Sequence, residues 1–309
     1  MSPRRRRDTG DEAGLSGLLL VDKPQGPTSF DVVAEVRRAL HVRRVGHTGT
    51  LDPMATGLLP LLIGPATRLV AFLTEGDKTY RATLRLGVGT DTLDAEGQVI
   101  AEDEPAAVAA VDPDAFEAAI AGFLGPQVQT PPMFSAIKVQ GERLYAKARR
   151  GETVVVPPRD VIVHRLALVE ASPPDWTFDV ACSKGTYVRS LGRDIAATLG
   201  LSGHLVALRR TSVGALHITD ALPLATVIAA PDVALAALRR PADAVAHLPT
   251  IRVDEAIVAE LAMGRRCAFP EAPPGRCRVL DEAGRIVAVV CAAGPAPAVI
   301  ERGFPRRNA

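Results

Sequence analysis

Apolar and polar residues recur along the chain with periods that mark its elements. GLLLVDKPQG (Gly17 to Gly26) reads as a short buried strand that stops at Asp22-Lys23-Pro24. Thr28 or Ser29 can then cap a helix whose Val32, Val33, Val36 and Leu40 share one face. GHTGTLDPMATG (Gly46 to Gly57) fits neither period and is predicted to be a loop. LLPLLIG (Leu58 to Gly64) predicts a buried strand and ATRLVAFLTE (Ala66 to Glu75) a helix. From Lys78 to Leu86 the alternation is strict, with Tyr80, Ala82, Leu84 and Leu86 on one face and Arg81, Thr83 and Arg85 on the other. DTLDAEG is a turn. Asp112 and Pro113 open a helix that is predicted to run to Gly125.

Further on, Pro131 to Gly151 begins extended, turns at Gln140-Gly141 and continues as a basic, helix-like piece. Val154 to Glu170 and Thr177 to Ser183 are strand-like. Thr186 is predicted to cap a helix with Tyr187, Leu191, Ile195 and Leu199 in one stripe and Arg189 and Arg193 on a neighbouring face. His204 to Gly214 reads as a strand. An Ala/Pro-rich stretch, Ala229 to Pro249, reads as a linker with a short helix. A helix (Asp254 to Gly264) and two strands, RCRVL and RIVAVVC, around the turn Asp281 to Gly284 then form a small β-rich appendage. Strands and helices mix without regular βαβ alternation, so the predicted class is α+β.

Composition changes this picture little, and charge changes it more. The chain has 309 residues, 47% hydrophobic and 23% charged, enough for about two domains with a filled core. Net charge is only +1, but its distribution is uneven. No Lys or Arg occurs between Arg85 and Lys138, where nine acids fall. Six basic residues against two acids follow from Lys138 to Arg159, and five against one from Lys184 to Arg210. That is either solvated surface or a basic face for a polyanion on an acidic back. The Arg4 to Arg7 run is followed by acids and glycines, not by an apolar core. It reads as a charged tail rather than a signal peptide. No apolar run is long enough for a bilayer.

Four scattered cysteines form no CxxC pair, and six histidines show no ligand spacing. Neither P-loop, dinucleotide fingerprint, GxSxG elbow nor HExxH pair is present. No cofactor or metal is expected, and a reducing cytoplasm is the simplest compartment. One carboxylate stands out. Asp52 precedes Pro53 in a restricted loop, where it either accepts loop N–H groups or serves as nucleophile or base. Arg189, on a helix, is the best cation to fork onto it. Tyr80 is either core or a stacking platform, and Lys23, before a Pro, reads as a solvated turn residue.

Six stretches, in order and at matching spacing, resemble the TruB-type tRNA pseudouridine-55 synthases. They are DKPQGPTS, GHTGTLDPMATGLLP, KTYRA, PPMFSAIKVQGERLYAKARRGE, CSKGTYVRSLGRDI and LRRTSVG, spread over roughly residues 15 to 225. The resemblance implies isomerisation of uridine 55 in the T-arm of tRNA by a monomer without cofactor. It implies a pseudouridine synthase-like catalytic domain (15–245) with a largely antiparallel mixed sheet. A charged tail (1–14) precedes that domain, and a PUA-like domain (250–309) follows it.

Carried over, Asp52 matches the essential aspartate and Tyr80 the tyrosine that stacks on the flipped base. Arg189 matches its carboxylate-pairing arginine. Tyr187 and Leu208 match the uracil-pocket lining, and His47 the histidine that fills the gap left in the T-loop. Lys23, with Pro24, matches a support under the loop. The insertion at about 129–159 would close on RNA, with Lys138, Arg143, Lys147 and Arg149 at phosphates.

Overall fold

The computed structural model describes residues 14–135, 138–139, 142–144, 150, 152, 154 and 156–304. In chain order the first half gives β1 (Gly17–Lys23), α1 (Ser29–Ala39), β2 (Val45–His47), β3 (Thr56–Ile63), α2 (Val70–Thr74), β4 (Lys78–Leu86), β5 (Val88–Thr90) and β6 (Val99–Glu102). Then come α3 (Pro105–Ala109), α4 (Pro113–Ala121), β7 (Gly125–Gln129), β8 (Lys138–Val139), β9 (Glu142–Arg143), β10 (Arg159–Ser172), β11 (Asp175–Cys182) and α5 (Val188–Thr198). The remainder is β12 (Gly203–Val213), β13 (Leu216–His217), β14 (Leu222–Pro223), α6 (Leu224–Ala229), α7 (Pro231–Ala236), β15 (Thr250–Arg252), α8 (Glu255–Ala262), β16 (Gly275–Leu280), β17 (Ile286–Ala293) and β18 (Ala296–Gly303).

The main sheet runs β14-β1-β3-β12-β4-β11-β10-β7, with β2 on β3 and β13 on β12. Only β1–β14 and β3–β12 pair in parallel, so the expected largely antiparallel mixed sheet is what forms. The alternation from Lys78 to Leu86 becomes β4, with Ala82, Leu84 and Leu86 buried. They meet Trp176, Phe178 and Val180 of β11 and Leu191 and Ile195 of α5 in one core. Phe116 of α4 stacks on Trp176, centroids 4.7 Å apart, and closes that core from the other end. On the other flank, Leu19 and Val21 of β1 pack with Val32 and Val36 of α1 and with Leu59, Leu61 and Ile63 of β3. Thr28 caps α1 with a full capping box through Asp31.

Five sequence expectations are corrected. The Gly46–Gly57 loop is shorter than expected, because Gly46 and His47 pair with Leu62 and Leu61 as part of β2, and Thr56 already belongs to β3. The stretch read as one helix from Ala66 starts as a 3-10 turn, Gly64–Leu69, before α2. The helix after Asp112 stops at Ala121, and Gly125, at φ +91°, opens β7 instead. Thr186 does not cap α5: its hydroxyl donates to Ser183 O, and Tyr187 holds the cap position. The Ala229–Pro249 stretch is no loose linker. Ala234 packs with α1 and β1, while Ala244 and Val245 pack with Leu69 and Phe72. Helix α5 otherwise buries Leu191 and Ile195 as its stripe predicts.

The C-terminal sheet is β15-β16-β17-β18 with α8 against it. Val289, Ile286 and Phe304 of this part join the cluster of Leu69, Phe72 and Val245. No helix among the described residues is long and apolar enough to cross a membrane.

Candidate active site

The loop between β2 and β3 is held from below by the first segment of the chain. Lys23 ends β1 and is fully buried, with its Nζ donating to Pro24 O (2.9 Å), Pro53 O (3.2 Å) and Ala55 O (2.6 Å). Burial lowers its pKa to about 8, although the Asp52 charge pulls the other way. Ser29, in the first turn of α1, clasps Leu51 twice, donating to its O (3.1 Å) and accepting from its N (2.8 Å). Asp52 sits between these fastenings. Its position is therefore set by β1 and α1, not by the loop's own sequence.

Arg189 meets Asp52 from α5, with Nε 2.9 Å from Oδ2. The arginine side chain is 3% exposed, whereas Asp52 keeps 34% of its side chain open. Arg189 Nη1 also donates to Thr92 O (2.7 Å) and lies 3.2 Å from Asp94 Oδ2; Nη2 donates to Phe134 O (2.7 Å). Asp94 is itself buried and accepts from the Thr92 hydroxyl (2.6 Å) and Glu96 N (3.1 Å). Burial raises the Asp52 pKa; the Arg189 charge draws it back, and Asp94 adds to the rise. One guanidinium thus serves two carboxylates and two carbonyls, which fixes its direction before any ligand arrives.

The pair opens on a cavity of about 370 Å³ lined by Asp52, Tyr80, Tyr187, Arg189, Leu208 and Arg210, among others. Tyr80 comes from β4 and Leu208 from β12, adjacent strands on which Leu208 pairs with Ala82. Burial raises the Tyr80 phenol, and the Arg210 charge opposes that. Tyr187 is fixed through its backbone: its N donates to Gln129 Oε1 (2.8 Å) and its O accepts from Gln129 Nε2 (3.1 Å). Arg159 lies 5.9 Å from its ring centroid. The walls are therefore mixed: Tyr80, Tyr187, Leu51, Val188 and Leu208 give apolar and aromatic surface, and Lys78, Lys184 and several hydroxyls stand beside the Asp52–Arg189 pair.

Of the site residues expected from sequence, Asp52, Tyr80, Tyr187, Arg189 and Leu208 converge on the cavity. Lys23 does not line it and lies beneath the loop, so the solvated-turn reading fails. His47 stands beside the cavity on β2, its ring edge-on to Phe30 at 5.2 Å and its Nδ1 accepting from Gly49 N. Burial and the Arg210 charge both keep that imidazole below its ordinary pKa. Lys138 and Arg143 stand opposite each other in the β8–β9 ladder, whereas Lys147 and Arg149 lie outside the described residues. Sequence reasoning missed Asp94, Gln129 and Arg210. In the sequence Asp94 looks like part of a turn, and Arg210 only adds to a basic segment. The stretch LRRTSVG, already distinctive, is the signal that could have found the latter.

The fold is that of the pseudouridine synthases. The solved structure described as a Cbf5-Nop10-Gar1 complex superposes with a TM-score of 0.75 at 25% identity, covering 94% of this chain and 85% of that one. The N-terminal domain model of TruB family pseudouridylate synthases matches residues 37–188. The tRNA pseudouridine synthase B of Burkholderia pseudomallei (strain 668) is 44% identical over 283 residues, 89% of this chain and 92% of the relative. That of Cupriavidus metallidurans is 41% identical over 286 residues, 89% and 90% respectively. The chain belongs to the TruB family of pseudouridylate synthases.

Proposed function

We propose that the chain converts uridine 55 of the tRNA T-loop to pseudouridine, with Asp52 as the essential carboxylate. The observation that carries this reading is the Asp52–Arg189 pair in a cavity that also presents Tyr80, Tyr187 and Leu208. A uracil stacked in a folded loop is out of reach, so it has to be extruded into a pocket that can stack on it. A cavity of about 370 Å³ lies in the range of sites that hold one small ligand. The reaction breaks N1–C1′, forms C5–C1′, and moves one proton from C5 and one to N1. Atoms and electrons balance without a donor.

Asp52 has three first steps open to it: attack at C1′, attack at C6, or removal of the C2′ proton to give a glycal. Arg189 keeps it ionised and aimed. Tyr80 stacks on the base and takes the C5 proton; Tyr187 and Leu208 complete the uracil pocket. His47 fills the gap in the T-loop, and Lys23 holds the loop in place. Lys138, Arg143, Lys147 and Arg149 meet phosphates as the insertion closes. Residues 15–245 form the catalytic unit and 250–309 a PUA-like unit. The protein works as a cytoplasmic monomer on tRNA alone.

The test is turnover by the purified protein on an unmodified tRNA transcript and on the same transcript with cytidine at position 55. Product from the first and none from the second is expected. A requirement for an added guide RNA would instead select an RNA-guided uridine isomerase.

A further inference from the structure

Arg189 is not the only buried arginine at the cavity. Arg210 is 1% exposed and lies in β12, its Cα opposite Tyr80 of β4 on one side and Gly57 of β3 on the other. Its Nε donates to Leu58 O (2.7 Å) and its Nη2 to Gly49 O (3.1 Å). Those carbonyls bracket the loop that carries Asp52, so one guanidinium clamps both ends of it. Tyr80, the cross-strand neighbour of Arg210, lines the same cavity. The loop meets the Arg210 backbone closely as well: a Cβ at Gly57 would fall 2.3 Å from Arg210 O. Arg189 and Arg209 each pair with carboxylates, but among the described residues none lies within ion-pair distance of Arg210. A guanidinium buried without a counter-ion is costly, and backbone carbonyls offset that cost only in part.

We infer that Arg210 is a positioning residue that locks the Asp52 loop to Tyr80 and polarises the phenol oxygen that receives the C5 proton. This rests on the reading of Tyr80 as that proton's acceptor. Once C5–C1′ has formed, C5 carries both the ribose and its hydrogen, and the ring holds an N1=C6 bond. The proton passes to the Tyr80 oxygen as the phenol's own proton passes to water. The C5–H pair becomes the C5=C6 bond, the N1=C6 pair returns to N1, and N1 takes a proton from water. A cation beside the tyrosine opposes the rise that burial gives its phenol. Arg210 also sets the separation of the two groups that act at opposite ends of the reaction, the Asp52 carboxylate and the Tyr80 oxygen.

The experiment uses Arg210→Met, which removes the buried charge at similar volume, and Arg210→Lys. Each is compared with the unaltered protein in single turnover on tRNA whose uridine 55 carries hydrogen or deuterium at C5. The expected result is a tRNA Kd within about threefold of the unaltered protein and a turnover rate lower by about 10²-fold or more. The C5-deuterium isotope effect should rise from near unity to about 2 or more, because proton removal becomes rate-limiting. A purely structural loss would slow turnover without moving the isotope effect, and that outcome overturns the inference. So does an unchanged rate, or loss of fold in both variants. Tyr80→Phe separates the two ideas. If it turns over at full rate without an isotope effect, the Tyr80 reading fails. If it develops the isotope effect and the Arg210 variants do not, the Arg210 inference alone fails.

Discussion

Asp52 shows how a common residue becomes a chemical one. By its own sequence context it reads equally as a turn acceptor or as a nucleophile. Arg189, 137 positions along the chain, lies 2.9 Å from it, an arrangement that suits the second. Asp52→Asn should lower isomerisation by about 10³-fold or more with tRNA affinity within a few fold, measured by product formation and by binding. Substantial turnover in that variant would contradict the role. The raised pKa has a direction to test. A carboxyl that holds its proton more tightly than free Asp (3.8) loses its charge at a higher pH on acidification. The acid limb of the rate profile should therefore lie above the ordinary Asp range. For stability the sign is opposite to that of a salt-bridged surface Asp: ionised Asp52 opposes folding, and its cost grows as pH rises from the unfolded pKa towards the folded one. Asp94 and Arg210 were not legible because each acts through partners distant in the chain, Arg189 for one and the Gly49 and Leu58 carbonyls for the other.

Among the elements, those with a strict period were legible. The strands β4, β11 and β12 and the helices α1 and α5 follow their apolar stripes, because each has one face on the core, whereas β1 reads as one apolar run because both its faces are buried. The misreadings fall where tertiary contacts decide. The three residues of β2 pair with β3 because that edge is available to them, not because Val45, Gly46 and His47 alternate. The stretch rich in Ala and Pro is packed because small side chains let it lie close against β1 and the 3-10 turn, not because it carries a helical stripe. Gly57 links element to site. Its φ is +102°, and any Cβ there would strike the Arg210 backbone at the β3–β12 crossing. Gly57→Ala should cost about 3 kcal/mol or more in denaturant unfolding and remove activity with it. A loss under about 0.5 kcal/mol would mean that the crossing gives way easily.

In the whole molecule, the two sheets share apolar surface. Val289 and Phe304 sit with Leu69, Phe72 and Val245. Arg276 reaches from β16 to Glu75 (2.5 Å) and lies 5.5 Å from the Phe72 centroid. Removing residues 250–309 should therefore expose this cluster, and the shortened chain should melt at lower temperature and aggregate more readily. An unchanged melting temperature would show that the shared surface contributes nothing. The uneven charge belongs to this scale as well. Replacing Arg143, Lys147 and Arg149 together should weaken tRNA binding and reduce the slope of log K against log salt by about 0.7–0.9 for each phosphate left without its cation. An unchanged slope would make the segment ordinary surface. Charge patterning marks that segment in the sequence, whereas the packing of the second sheet against the first leaves no comparable trace.

The central claim is that Asp52, presented by a pinned loop, isomerises one uridine of tRNA. Its most direct test is a single-nucleotide map of pseudouridine in an unmodified tRNA transcript incubated with the protein or with Asp52→Asn. Pseudouridine is expected at position 55 alone with the unaltered protein, and none with Asp52→Asn. Product at another position, or product at 55 with the variant, would contradict it.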